Sequence, residues 1–114
     1  MDWDSAHSLI KRNIVKGTDV NTSKSKFREI TGVDSNGFKV RIGNKTHIYV
    51  SFNLLKDIYH ASLKNDGIYN KTVLDSLKIN VVKHHQCYVH AIGMIFKFSD
   101  VVEIRNGRTY SIIK

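Results

Sequence analysis

The chain of 114 residues has no proline, a single cysteine and no long run of apolar residues. One cysteine cannot form a disulfide within the chain, which favours a reducing compartment. A membrane-spanning helix needs roughly 18 or more consecutive apolar residues, and the sequence has no such run. The first residues are acidic and lack the apolar core of a signal peptide. We therefore expect a cytoplasmic protein that does not enter a membrane.

Sequence motifs for common enzyme chemistries are also lacking. The chain has no glycine-rich phosphate loop, Walker pattern or dinucleotide fingerprint. Asp100 and Glu103 precede Arg105 in the order of some nuclease metal sites, but all three fall beside or within a predicted hairpin, where a solvated surface is favoured. Cys87 lies near histidines, yet no third orienting residue or oxyanion loop accompanies it. We expect a protein without catalytic activity or a cofactor.

The histidines around Cys87 raise the alternative of a metal site. His84, Cys87 and His90 recur at three-residue spacing, which places them near one another on a helix. A structural zinc site needs four ligands and commonly uses paired cysteines. Because the chain has one cysteine, the favoured interpretation is a polar helix surface with Cys87 as a small buried residue, and no metal is expected.

Positive charge is what the sequence has in excess. Lysine and arginine number 18 against 10 aspartate and glutamate residues, which gives a net charge of +8. A small basic domain favours polyanionic partners, because each lysine or arginine placed against a phosphate releases counterions. The charge alone admits a nucleic acid or an acidic protein surface as the partner.

The hydrophobic pattern predicts one compact α+β domain over residues 1–114. It predicts an N-terminal helix over 5–15, capped by Asp4 or Ser5. A three-stranded antiparallel meander follows over 27–33, 38–42 and 47–52. Three helices over 53–64, 71–77 and 84–96 and a C-terminal β-hairpin over 101–112 complete the chain. Any division into sub-lobes is expected near Ser51, giving lobes 1–50 and 51–114.

The C-terminal hairpin has the clearest turn signal. Asn106-Gly107 suits a two-residue type I′ turn, which needs positive φ at both central positions. The flanking runs are rich in β-branched residues, as strands are. The stretch before the hairpin has a helical period instead, with an apolar face formed by Tyr88, Ala91, Ile92 and Ile95.

Three helices followed by a hairpin, over residues 51–114, resemble a winged helix-turn-helix. In such folds the last helix lies in the DNA major groove, and the hairpin, called the wing, contacts the backbone or minor groove. The resemblance implies a site for double-stranded DNA, favoured over RNA, in which Gln86 can pair with adenine. The whole layout also faintly resembles the DNA-recognition modules of restriction systems. The implied contact residues are Lys83, His84, His85, Gln86, Arg105, Asn106 and Arg108.

The meander offers a second basic surface. Alternation along its strands predicts that Lys39 and Arg41 share the solvent-facing side with His47 and Tyr49. Basic and aromatic side chains together can bind nucleic acid through phosphate contacts and stacking. The alternative is an ordinary solvated face, since exposed strands commonly display lysine and arginine.

These observations predict a non-catalytic nucleic-acid-binding module whose main site is the fourth helix and the wing. The alternative function is a small protein-interaction module, such as an inhibitor or accessory subunit. Its positive charge would then match an acidic partner surface.

Overall fold

The computed structural model describes residues 2–20, 28–43, 45–77, 85–106 and 109–113, with backbone only for 85–87 and 106. The predicted α+β class is confirmed: an N-terminal helix and a three-stranded antiparallel sheet precede further helices and a C-terminal hairpin. The elements are α1 (Trp3–Asn13), β1 (Glu29–Val33), β2 (Gly37–Arg41), β3 (His47–Ser51), α2 (Phe52–Lys64), β4 (Ile68–Tyr69), α3 (Lys71–Ser76), α4 (His85–Phe98), β5 (Val102–Asn106) and β6 (Thr109–Ile112).

Helix α1 begins two residues earlier than predicted. The cap is Asp2 rather than Asp4 or Ser5, and its Oδ1 accepts a hydrogen bond from the Ser5 N–H at 2.8 Å. A carboxylate oxygen at this position satisfies one of the unpaired N–H groups of the first turn. Trp3 consequently lies inside the helix, where it is buried beside Tyr59.

Helices α2 and α3 begin at side-chain caps. Ser51 Oγ accepts from the Leu54 N–H at 3.0 Å, and Asn70 Oδ1 accepts from the Val73 N–H at 3.1 Å. Because Ser51 caps the helix, β3 ends there and Phe52 is the first residue of α2. The sequence had predicted Phe52 as the last residue of a strand.

The first sheet has the order β1-β2-β3, and both strand pairs are antiparallel. Its alternation follows the sequence, with one face buried and the other turned to solvent. The buried face packs against the helices. It includes Phe38, Val40, Ile48 and Val50.

A second sheet has the order β4-β6-β5. The β5–β6 hairpin was predicted, whereas β4 was not: Tyr69 pairs with Tyr110 of β6 and thereby attaches the hairpin to the segment between α2 and α3. Asn106 was predicted to lie in the turn. Instead it pairs with Thr109 and is the last residue of β5. Gly107 of the predicted turn lies outside the described residues.

Helix α4 joins the two halves of the chain within the core. It contacts α1, β3 and β5, so the parts of the chain before and after Ser51 share one hydrophobic core. Six consecutive residues, 91–96, are buried, which means that this stretch of the helix is enclosed on all sides. Within the described ranges, no helix is long and apolar enough to cross a membrane.

Candidate nucleic-acid interface

The predicted helix-and-wing site is described in part. Arg105 lies on β5 and is exposed to solvent. His85 and Gln86 belong to the first turn of α4, and Asn106 to the end of β5, all without a described side chain. Three further predicted residues lie outside the described ranges: Lys83, His84 and Arg108.

Two contacts align the hairpin with α4. Residues 99–101 join the end of α4 directly to β5, and the two elements pack together. Farther along the hairpin, the ring of Tyr110 lies against Gly93 in the second half of the helix. Because Tyr110 pairs with Ile104, the hairpin runs from the end of α4 back toward its beginning. Arg105 is the next residue of β5 after Ile104. It therefore lies farther toward the first turn of α4, whose residues are polar.

The second predicted surface, the solvent face of the first sheet, has a defined register. Lys39 on β2 lies opposite Tyr49 on β3, and Arg41 lies opposite His47. Directly opposed side chains in an antiparallel pair are about 4.5–5.5 Å apart at Cβ. Lys39, His47 and Tyr49 are exposed, and Arg41 is half-buried with its Nε donating to the Gly43 carbonyl at 2.8 Å. The structure therefore brings together two cations and two rings, as predicted.

Three of the predicted basic residues have described side chains: Lys39, Arg41 and Arg105. Within the described part of the chain, the one ion pair shorter than 4.0 Å joins Lys71 to Asp75. Lys39, Arg41 and Arg105 therefore have no carboxylate of the described residues at this distance. A side chain without a carboxylate partner can contact a phosphate without first losing an ion pair.

Tyr49 connects the sheet face to the β1–β2 turn. Its hydroxyl donates to Asp34 Oδ1 at 2.7 Å, and the same oxygen accepts the N–H groups of Asn36 and Gly37 at 2.7 and 2.9 Å. The Tyr49 hydrogen bond, followed by those from the backbone, lowers the pKa of Asp34. In turn, the hydrogen bond to the carboxylate raises the pKa of Tyr49. Asp34 is therefore held as a carboxylate at the end of the sheet.

A pocket that the sequence did not predict lies between α1 and this turn. Its volume is about 330 Å³, at the lower end of the range for small-molecule sites. His7 and Lys11 face it from successive turns of α1, at a spacing that places side chains on one helix face. The full lining consists of His7, Lys11, Val33, Asp34, Ser35, Phe38 and Phe52.

Aromatic rings form much of the pocket wall. His7 stacks on Trp3 with ring centroids 5.2 Å apart and meets Phe52 edge-on at 4.6 Å. Phe52 in turn packs edge-on against Phe38 at 5.1 Å. Burial, and secondarily the charge of Lys11, lowers the pKa of His7. Its Nε2 is buried and has no hydrogen-bond partner within the described residues.

Metal ligands do not converge within the described residues, where no group of three or more histidine, cysteine, aspartate or glutamate side chains could hold an ion. His84 lies outside the described ranges, and Cys87 has no described side chain. The absence of a metal at these residues therefore stays a prediction.

No protein-family model, curated protein or solved structure matches the chain.

Proposed function

We propose that this protein is a non-catalytic nucleic-acid-binding module that contacts double-stranded DNA with the start of α4 and the β5–β6 hairpin. The observation that supports this most strongly is the alignment of the hairpin with α4. The short connection at residues 99–101 and the contact between Gly93 and Tyr110 together support a hairpin that runs back along α4. A wing must lie beside the groove-binding end of its helix to contact the same duplex.

The burial of α4 limits which part of the helix can enter a groove. Residues 91–96 are enclosed, so base contacts come from the residues at the helix start. Lys83, His84, His85 and Gln86 supply the polar groups there, and Gln86 has the amide geometry that pairs with adenine. Arg105, Asn106 and Arg108 then contact the DNA backbone. The proposed location is the cytoplasm.

A second candidate is the binding of single-stranded nucleic acid on the solvent face of the first sheet. The opposed pairs Lys39–Tyr49 and Arg41–His47 favour it, since each places a cation beside a ring. Aromatic rings stack on unpaired bases of any sequence while nearby cations contact the phosphates. A sheet face, however, does not enter the major groove as readily as a helix does. For duplex DNA we therefore favour the surface formed by α4 and the hairpin.

Salt titration of binding tests the proposal and separates the two surfaces. The purified chain would be titrated with a 20-base-pair duplex and with a single strand at several salt concentrations, because the slope of log affinity against log salt counts the phosphates contacted. Three double variants would be compared: Arg105→Gln with Arg108→Gln, Lys39→Gln with Arg41→Gln, and, as a control for lost charge, Lys56→Gln with Lys64→Gln on the exposed side of α2.

The proposal predicts that the Arg105/Arg108 variant loses duplex affinity and that its salt slope falls by about two, if each arginine meets one phosphate. Gln86→Ala should relax sequence preference instead, through loss of roughly 1–3 kcal/mol of discrimination. If only the Lys39/Arg41 variant is impaired, and on single strands, the site is the sheet. If the protein binds no nucleic acid at low salt, the alternative function replaces this proposal. That alternative is a protein-interaction module for an acidic partner surface.

A further inference from the structure

We propose that the pocket between α1 and the β1–β2 turn binds one nucleobase that has an exocyclic amino group, such as adenine or cytosine. This inference rests on the proposed nucleic-acid function only for the source of the base. The pocket itself is defined by its lining, which combines an acceptor, a cation and aromatic walls in about 330 Å³.

The hydrogen-bond acceptor is Asp34. Its Oδ1 already accepts three hydrogen bonds, from Tyr49, Asn36 and Gly37, whereas Oδ2 accepts none within the described residues. These three bonds fix the carboxylate and keep it charged. A charged carboxylate oxygen accepts strongly from an amino group but repels a carbonyl oxygen. The pocket therefore favours bases that present N–H donors at this edge, and an exocyclic amino group supplies two of them.

The complementary donor is Lys11, which lines the pocket from α1. In adenine and cytosine a ring nitrogen that accepts hydrogen bonds is adjacent to the amino group. Lys11 can donate to such an acceptor while Asp34 accepts from the amine.

The walls suit a flat ring. Phe52 and His7 border the pocket, and Phe38 is fully buried behind them. Bases taken out of a stack are commonly held against aromatic or apolar side chains and read by hydrogen bonds along one edge. Aromatic walls together with a hydrogen-bond acceptor and a donor are what that mode of recognition requires.

The pocket also adjoins the basic sheet face. Asp34 lines the pocket and accepts from Tyr49, which lies opposite Lys39 on the exposed side of the sheet. This hydrogen bond places the sheet face next to a pocket residue, so a strand bound at Lys39 and Tyr49 is one source of the base. A free nucleoside presents the same edge, so both sources are tested.

The test uses Trp3, the only tryptophan of the chain, which stacks on pocket residue His7. The full chain would be titrated with adenosine and purine riboside in one arm, and with single-stranded dA12 and the corresponding 12-mer of purine deoxyriboside in the other, while Trp3 fluorescence is followed. Purine riboside and its 12-mer keep the purine ring and the charge of their counterparts but lack the exocyclic amine. We expect saturable fluorescence changes with adenosine or dA12, and binding at least about tenfold weaker for the matched ligand without the amine.

Two lysine variants complete the test. Lys11→Gln should weaken the adenine ligand about tenfold, whereas Lys16→Gln, an exposed lysine outside the pocket lining, should not. Response to adenosine would identify a free-nucleoside site, and response to dA12 alone a strand-borne base; both support the proposal. Equal responses with and without the amine, equal effects of the two lysine variants, or no response to any ligand overturns it. None of these results depends on the duplex binding tested with Arg105 and Arg108.

Discussion

The ring of Tyr110 lies directly against Gly93 in the middle of α4. A Cβ atom on residue 93 would overlap the ring and stand 2.7 Å from the Tyr110 hydroxyl oxygen. Tyr110 is 2% exposed, and the ring of Tyr69 lies 5.7 Å away, so the ring is confined by packed neighbours. Glycine at position 93 therefore allows β6 to approach the helix closely and fixes the hairpin on α4.

The first prediction is that Gly93→Ala destabilises the protein. In a free helix, alanine is favoured over glycine by about 1 kcal/mol. Here the added methyl group meets a buried ring, and overpacking of this kind costs typically about 1–3 kcal/mol. We expect a net loss in the free energy of unfolding, measured by denaturant titration. Gly32→Ala is the control, because a Cβ there meets only Lys39 Cβ at an ordinary 3.5 Å.

A double-mutant cycle tests whether contact with the Tyr110 ring causes the loss of stability. In a Tyr110→Ala background the space beside residue 93 is open, so Gly93→Ala should cost much less than it does in the wild-type protein. Stabilisation by Gly93→Ala alone would show that the ring yields and that the contact does not fix the hairpin.

Strand alternation predicted the first sheet well because one of its faces is buried. The period of two separated Phe38 and Val40 from Lys39 and Arg41, and the structure places them on opposite sides. The two-residue strand β4 had no such pattern. Ile68 and Tyr69 follow a tight turn at Asp66 and Gly67, both with positive φ, and they form a strand only because β6 pairs with them. A pairing between residues about 40 apart along the chain leaves no local signal.

The candidate sites also have a part that the sequence could predict and a part that it could not. The shared solvent face of Lys39 and Tyr49 could be predicted from the alternation along the strands, whereas their direct pairing comes from the structure. The pocket depends on where α1 packs against the β1–β2 turn, which no periodicity encodes. A partial signal was present: His7 and Lys11 share a helix face, and Asp34 begins a turn. Likewise, one apolar face was predicted for α4, but burial by both sheets encloses residues such as Val89 and Met94 as well.

The second prediction concerns the correct cap of α1. Asp2→Ala should lower the melting temperature more than Asp4→Ala, because Asp2 Oδ1 accepts the Ser5 N–H. That hydrogen bond lowers the pKa of Asp2, so the stability it gives is present above the ordinary carboxyl pKa of 3.8 and is lost as the pH falls through the lowered value. The difference between the variants should therefore shrink in acid. An equal or larger effect of Asp4→Ala would contradict the observed cap.

The third prediction is a pH dependence from His7. Its pKa is lowered from 6.5 by burial first and by Lys11 second, so the unfolded chain takes up the proton before the folded one does. Stability should consequently fall as the pH drops through about 6.5 and level off below the folded pKa. His7→Phe keeps a ring against Trp3 and should reduce this loss, measured as melting temperature between about pH 7.5 and 5. His47→Phe, at an exposed sheet position, is the control; identical changes in both variants would exclude His7 as the source.

The last prediction concerns Tyr69, whose hydroxyl donates to the Val89 carbonyl at 3.0 Å and so joins β4 to α4. Tyr69→Phe removes this buried hydrogen bond and should cost about 1 kcal/mol at neutral pH.

Burial, and then the nearby Tyr110, raises the pKa of Tyr69 well above 10.0. The unfolded chain therefore loses this proton first as the pH rises, and stability should decline above about pH 10. Denaturant titrations from neutral pH to about pH 11 should show a shallower alkaline decline in Tyr69→Phe than in the wild type or in Tyr88→Phe, which removes a half-buried tyrosine of α4. Parallel curves above pH 10 would mean that Tyr69 ionises as freely in the folded protein as in the unfolded chain, and that its hydroxyl is not held against α4.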